Sequence, residues 1–125
     1  QIGCVYPRNE DPTMVVKGRD SKIGVPRELM LSSSEICEVL SRMGRQIADE
    51  VISVLEDASP ELVGDIAQTG ITLTGGGALL KGLDQILRED TSLPIFSVED
   101  PLATVVMGTG IALDNMRTLR EVCID

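Results

Sequence analysis

The run from Gly70 to Asp84, Gly-Ile-Thr-Leu-Thr-Gly-Gly-Gly-Ala-Leu-Leu-Lys-Gly-Leu-Asp, constrains this chain more than any other stretch. Ile71 and Leu73 alternate with Thr72 and Thr74, the pattern of a strand with one apolar face. Gly75, Gly76 and Gly77 follow and carry no Cβ. The backbone there can reach positive φ, and a flat or charged ligand can lie against the main chain. The spacing predicts a helix over Ala78 to Asp90, whose first turn offers free N–H groups and the positive end of the helix dipole. Strand, glycine turn and helix in that order form a nucleotide-type cradle. Taken alone, the triplet fits a tight turn with packing glycines equally well.

Spacing excludes the two commonest glycine cradles. A G-x-G-x-x-G fingerprint starting at Gly75 needs glycine where the chain has Leu80, and a P-loop needs G-K-[ST] where Lys81 precedes Gly82. Neither pyrophosphate site is supported.

Upstream, Thr13 to Arg19 and Arg27 to Leu31 read as two strands. The Asp, Ser, Gly and Pro residues of Asp20 to Pro26 favour a turn between them. A β-hairpin with a somewhat long loop follows. Its charges Lys17, Arg19 and Asp20 suit an exposed strand edge protected against aggregation. Ser32-Ser33-Ser34-Glu35 is a capping box that opens a long helix. Ile36, Val39, Leu40, Met43, Ile47, Val51, Val54 and Leu55 recur at helical spacing, which predicts a core-packed face. Arg42, Arg45, Asp49, Glu50 and Glu56 fall elsewhere. Gly44 weakens the middle of that helix by about 1 kcal/mol relative to alanine. Ser59-Pro60-Glu61-Leu62 starts a short helix ending near Gln68. Leu93 to Val98 reads as a further strand. Asp100-Pro101 starts a last helix with Leu102, Val105, Val106, Ile111 and Leu113, capped by Asp100. Alternating strands and helices predict an α/β fold with adjacent parallel strands.

Composition narrows the function classes. The 125 residues have room for one core of modest size, and the formal net charge of −9 argues against nucleic acid and anionic membranes as partners. The most apolar stretch, Leu102 to Leu113, is broken by Gly108 and Gly110 and is too short to span a bilayer. No signal peptide is visible. The cysteines are Cys4, Cys37 and Cys123, with no histidine and no C-x-x-C, so a zinc site is not expected. Free thiols in a reducing cytoplasm are the expectation.

The segment Gly70 to Asp84 resembles the adenosine motif of the actin-like ATPases. Leu-Thr-Gly-Gly-Gly-Ala-Leu-Leu followed by Gly-Leu-Asp is similar to the MreB/Mbl family of bacterial cell-shape proteins. Ile2-Gly3, Tyr6-Pro7, Lys17-Gly18-Arg19, Gly24-Val25-Pro26, Pro60-Glu61-Leu62, Asp65-Ile66, Glu99-Asp100-Pro101-Leu102 and Gly108-Thr109-Gly110 with Ala112-Leu113 fall in that family's order. The resemblance covers residues 1–116. It implies the C-terminal third of an actin-like ATPase. Residues 1–35 belong to a small β-hairpin subdomain (IIB-like), 36–118 to a larger strand-helix subdomain (IIA-like), and 119–125 to a tail.

The resemblance further implies that Gly75, Gly76, Gly77, Ala78 and Leu79 pack main chain against adenosine, with ATP and Mg2+ as cofactors of the intact protein. It places Gly108 and Gly110 near an interdomain hinge, where the last helix approaches its neighbour. Self-association into protofilaments is implied, with cell-wall synthesis and morphogenesis proteins as partners. Membrane contact is implied only through upstream elements. The chain has no strand followed by Asp-x-Gly-Gly-Gly-Thr and so no phosphate hairpin. It is therefore expected to hydrolyse no ATP by itself, because phosphoryl transfer depends on positioned charge around the phosphates. A fragment of a sugar or acid kinase of the same superfold is the alternative, since fold alone does not separate the two.

Overall fold

The computed structural model describes residues 2–115. The tail 119–125, with Cys123, lies outside the described residues. Strands β1 (Thr13–Arg19) and β2 (Pro26–Ser32) pair antiparallel, with Lys17 opposite Glu28 and Arg19 opposite Pro26. Pro26 joins the strand rather than the loop, a place open to proline at the first residue of a strand. Asp20 makes the turn: its Oδ1 accepts from the Lys22 and Ile23 N–H groups at 2.9 and 3.2 Å. Its own N–H donates to the Val25 carbonyl at 2.9 Å.

β2 runs directly into helix α1 (Ser33–Asp57). The capping box is complete. Ser32 Oγ accepts from the Glu35 N–H at 3.2 Å, and the Glu35 carboxylate accepts from the Ser32 N–H at 2.8 Å. Helix α2 (Pro60–Thr69) starts at Ser59, whose Oγ accepts from the Leu62 N–H at 3.4 Å. Strands β3 (Ile71–Leu73) and β4 (Ile95–Ser97) pair in parallel, Ile71 opposite Ile95. Between them lies helix α3 (Leu83–Thr91), and after β4 comes α4 (Thr104–Asp114). The fold class expected from the pattern is the one observed: α/β, with a small antiparallel hairpin and a parallel strand pair.

The core sits between α1, α3, β4 and the N-terminal segment. Val5, Ala48, Leu83, Ile86, Leu87 and Ile95 are buried together. Each large apolar side chain buried this way contributes about 1.5–3 kcal/mol. The apolar stripe predicted to bury α1 does not do so as a whole. Val39, Met43, Ile47 and Val54 are 43–69 % exposed, while the buried positions are Ser33, Cys37, Gly44 and Ala48. Helix packing explains the swap. A Cβ on Gly44 would stand 2.8 Å from Ile86 Cδ1 and 3.2 Å from Val5 Cβ, so the small-residue face is where α3 and the N-terminal segment come closest. The larger neighbours rotate outward. Ile47, Val51, Val54 and Leu55 instead line an apolar hollow with Ile66, Gly70 and Ile71.

The helix predicted over Ala78 to Asp90 is also revised. Gly76–Leu79 forms a short 3-10 turn, Leu80 is extended, and α3 begins at Leu83. Gly82 causes the break: its φ is +87°, and Lys81 is held in a parallel bridge to Cys4. Likewise α4 begins at Thr104 rather than at Pro101.

Candidate functional site

The glycine turn leaves the C-terminal end of β3 and is tied to the segment after β4. Thr74 Oγ1 donates to the Pro101 carbonyl at 3.1 Å, and the Gly75 N–H donates to the same oxygen at 2.8 Å. Two motifs far apart in sequence, Leu73–Leu79 and Glu99–Leu102, thus become one surface. Asp100 braces it from the other side. Its Oδ1 accepts from the Ala103 N–H at 3.2 Å and its carbonyl from the Thr104 N–H at 3.1 Å. Asp100 therefore caps the turn over 101–103 and not α4 as expected, whose N-cap is Ala103 with no side-chain hydrogen bond.

Gly75 takes φ +76°, a conformation that L side chains rarely adopt. Gly76 and Gly77 are not in that region. What they offer is bareness. A Cβ built on Gly75 or Gly77 meets nothing within 4 Å, and one on Gly76 meets only Leu102 Cδ2 at 3.8 Å. Gly76, Gly77 and Leu79 are exposed, and Gly75 and Ala78 half-buried. The five predicted residues are thus contiguous and present an open main-chain face that side chains on the first three would cover.

That face suits a flat apolar ring system recognised by shape. Among the described residues no group of three or more His, Cys, Asp or Glu could hold a metal ion. A hollow lined by Val98, Glu99, Asp100, Thr104, Met107, Gly108 and Ile111 adjoins the turn along α4. Sequence reasoning missed Thr74, Pro101 and Leu102 as parts of one wall. Their motifs were visible, but contact between residues some 27 positions apart is not written in any local spacing. Gly108 and Gly110, expected at a close helix approach, have nothing within 4 Å of an added Cβ among the described residues.

Comparison with known proteins follows the same lines. The family model described as MreB/Mbl protein matches residues 1–121. The chain is 45% identical over 114 residues to the cell shape-determining protein MreB of Escherichia coli K12, covering 91% of this chain and 33% of that protein. It is 40% identical over 119 residues to the cell shape-determining protein Mbl of Bacillus subtilis, covering 95% and 36%. The crystal structure of MreB5 of Spiroplasma citri bound to ADP superposes with a TM-score of 0.87 at 38% identity, over 96% of this chain and 36% of that one. The chain spans about a third of the length of the curated relatives it matches. With the motifs, the fold and the family model all in agreement, this chain belongs to the MreB/Mbl family.

Proposed function

We propose that this chain is part of an ATP-binding, filament-forming bacterial actin homologue that determines cell shape. Its glycine turn forms the adenosine wall of the nucleotide site. The observation that carries the reading is the bare face of Gly75, Gly76 and Gly77 at the end of a parallel strand, in a chain similar to an MreB5 bound to ADP. Gly75 to Leu79 hold adenine and ribose by main-chain contact, and Pro101 fixes the turn. ATP, with Mg2+, would bind between the two large domains of the intact protein and so set their closure, which would bias polymerisation. Residues 1–35 belong to the smaller subdomain and 36–118 to the larger.

In the intact protein we expect cytoplasmic protofilaments that associate with the membrane through elements outside this chain and organise cell-wall synthesis proteins. The described residues include no helix long and apolar enough to cross a membrane. The sugar- or acid-kinase alternative is not favoured, because the curated relatives at 40–45% identity are cell shape-determining proteins.

The test is Gly76→Val in the intact protein, read by nucleotide titration and by melting temperature. Gly76 lies outside the positive-φ region, so the branched side chain covers the face without left-handed backbone strain. Affinity should fall at least tenfold, about 1.4 kcal/mol, with a near-normal melt. A variant that melts normally and binds ATP like the parent removes the glycine turn from the site.

A further inference from the structure

The thiols of Cys4 and Cys37 lie together in the interior, at the place where the hairpin joins the rest of the molecule. Cys4 is 1 % exposed and Cys37 5 %. Ser33 stands one helical turn before Cys37 on α1, and Ser33 Oγ lies 3.3 Å from Cys4 Sγ. Ser33 commits its hydroxyl proton to the Ile2 carbonyl at 2.7 Å, so Cys4 S–H is the donor to Ser33 Oγ. Cys37 lines the same cavity wall as Cys4 and Ser33. Cys4 against Ser33 Oγ and Cys37 one turn further along α1 thus share one wall of the interior.

Their surroundings give access and leverage. Both cysteines line a cavity of about 250 Å³ whose wall includes Arg8, Asp11, Ser34 and Glu38. The chain enters the hairpin just after this point and leaves it at Ser32, where the Ser33 N–H donates to the Pro12 carbonyl at 2.9 Å. Asp11 closes the same junction, accepting from the Ser34 N–H at 2.7 Å and the Ser34 hydroxyl at 2.9 Å. The Cys4 backbone is bridged to Lys81, which follows the glycine turn. A covalent link here closes a loop that contains the whole hairpin.

We propose that Cys4 and Cys37 form a dithiol site that a low-molecular-weight disulfide oxidises to an intrachain disulfide, fastening the base of the hairpin to α1. One cysteine thiolate attacks a sulfur of the small disulfide, forming a mixed disulfide and releasing one small thiolate. The other cysteine thiolate attacks the protein sulfur of that mixed disulfide, forming the Cys4–Cys37 bond and expelling the second small thiolate. The two protons lost by the cysteines go to the two small thiols, and two electrons pass from protein to reagent. Burial and the neighbouring Cys4 thiol raise the Cys37 thiol to about 11, which slows its thiolate attack at neutral pH.

The test uses the full chain with Cys123→Ser, incubated with oxidised glutathione and analysed by intact mass and peptide mapping. The expected product has lost two hydrogens, carries no glutathione and yields a crosslinked peptide joining residues 4 and 37. Its melting temperature should rise by roughly 5 °C, because the closed loop restricts the unfolded chain. Reduction should reverse the shift. The further changes Cys4→Ser and Cys37→Ser should each stop at the single glutathione adduct. The proposal is overturned if the folded chain gives no 4–37 crosslink under conditions in which the urea-unfolded chain reacts fully. It is equally overturned if the crosslink forms without raising the melting temperature.

Discussion

Gly82 and Gly64 illustrate how differently one residue type acts at two sites. Gly82 holds φ at +87°, and an added Cβ would meet Tyr6 Cβ at 2.5 Å and the Tyr6 backbone nitrogen at 3.0 Å. Gly64 sits in α2 with nothing within 4 Å. We expect Gly82→Ala to destabilise by about 2 kcal/mol or more, the sum of left-handed strain and overpacking against backbone. Gly64→Ala should stabilise by about 0.5–1 kcal/mol, since it only restricts the unfolded chain and favours helix. Paired denaturant melts check both signs. Asp11 carries a pH dependence. Hydrogen bonds from Ser34 hold its carboxyl below the usual range. A depressed folded value stabilises the fold above the ordinary carboxylate pKa of about 3.9 and loses that stabilisation as pH falls through the folded value. Asp11→Asn should therefore melt lower than the parent at pH 7, with the gap closing in strong acid. A gap that stays constant across the pH series would show that the charge contributes nothing.

At the scale of elements, α1 decides the packing. Its sequence holds two adjoining strips, one of large apolar residues and one of small ones. Periodicity weights the large residues, because hydrophobicity is what it measures. Close approach weights the small ones, because α3 can come nearest where Gly44 and Ala48 leave room. Ala48→Leu should accordingly cost about 1–3 kcal/mol by overpacking, although leucine is a good helix former. Met43→Gln, on the 58 % exposed strip, should stay within about 0.5 kcal/mol in this chain. A reversed order of the two melts would restore the large strip to the core.

For the whole molecule, charge and open surface bear on assembly. The net charge is −9, yet Lys17, Arg19, Lys22 and Arg27 gather around one hollow on the hairpin. Val105, Val106, Met107, Ile111 and Leu113 of α4 are exposed. The chain spans about a third of its relatives' length. On the proposed function, the subunit contact is heterologous, running head to tail. On that proposal this chain alone would supply one side of the contact, and like charge would add repulsion between copies. It should remain in the supernatant on sedimentation and form no ordered polymer under negative stain. Filaments from this chain alone would overturn that one-sided assignment.

The local code was legible where the cause is local. Ser32 and Glu35 announce their own capping box, Ser59-Pro60 its helix start, and Asp20 its turn, because donor and acceptor lie within a few residues of each other. The strand alternation of Ile71 and Leu73 and the ordered family motifs likewise stand in the chain itself. Three features waited for the tertiary structure. The start of α3 moved to Leu83 because Gly82 takes positive φ where Lys81 is bridged to Cys4 from far along the chain. The buried face of α1 turned on the distance to Ile86. The glycine turn became a wall through the Pro101 carbonyl. In each, the deciding partner is far away in sequence, and only folding brings it within hydrogen-bond or van der Waals reach.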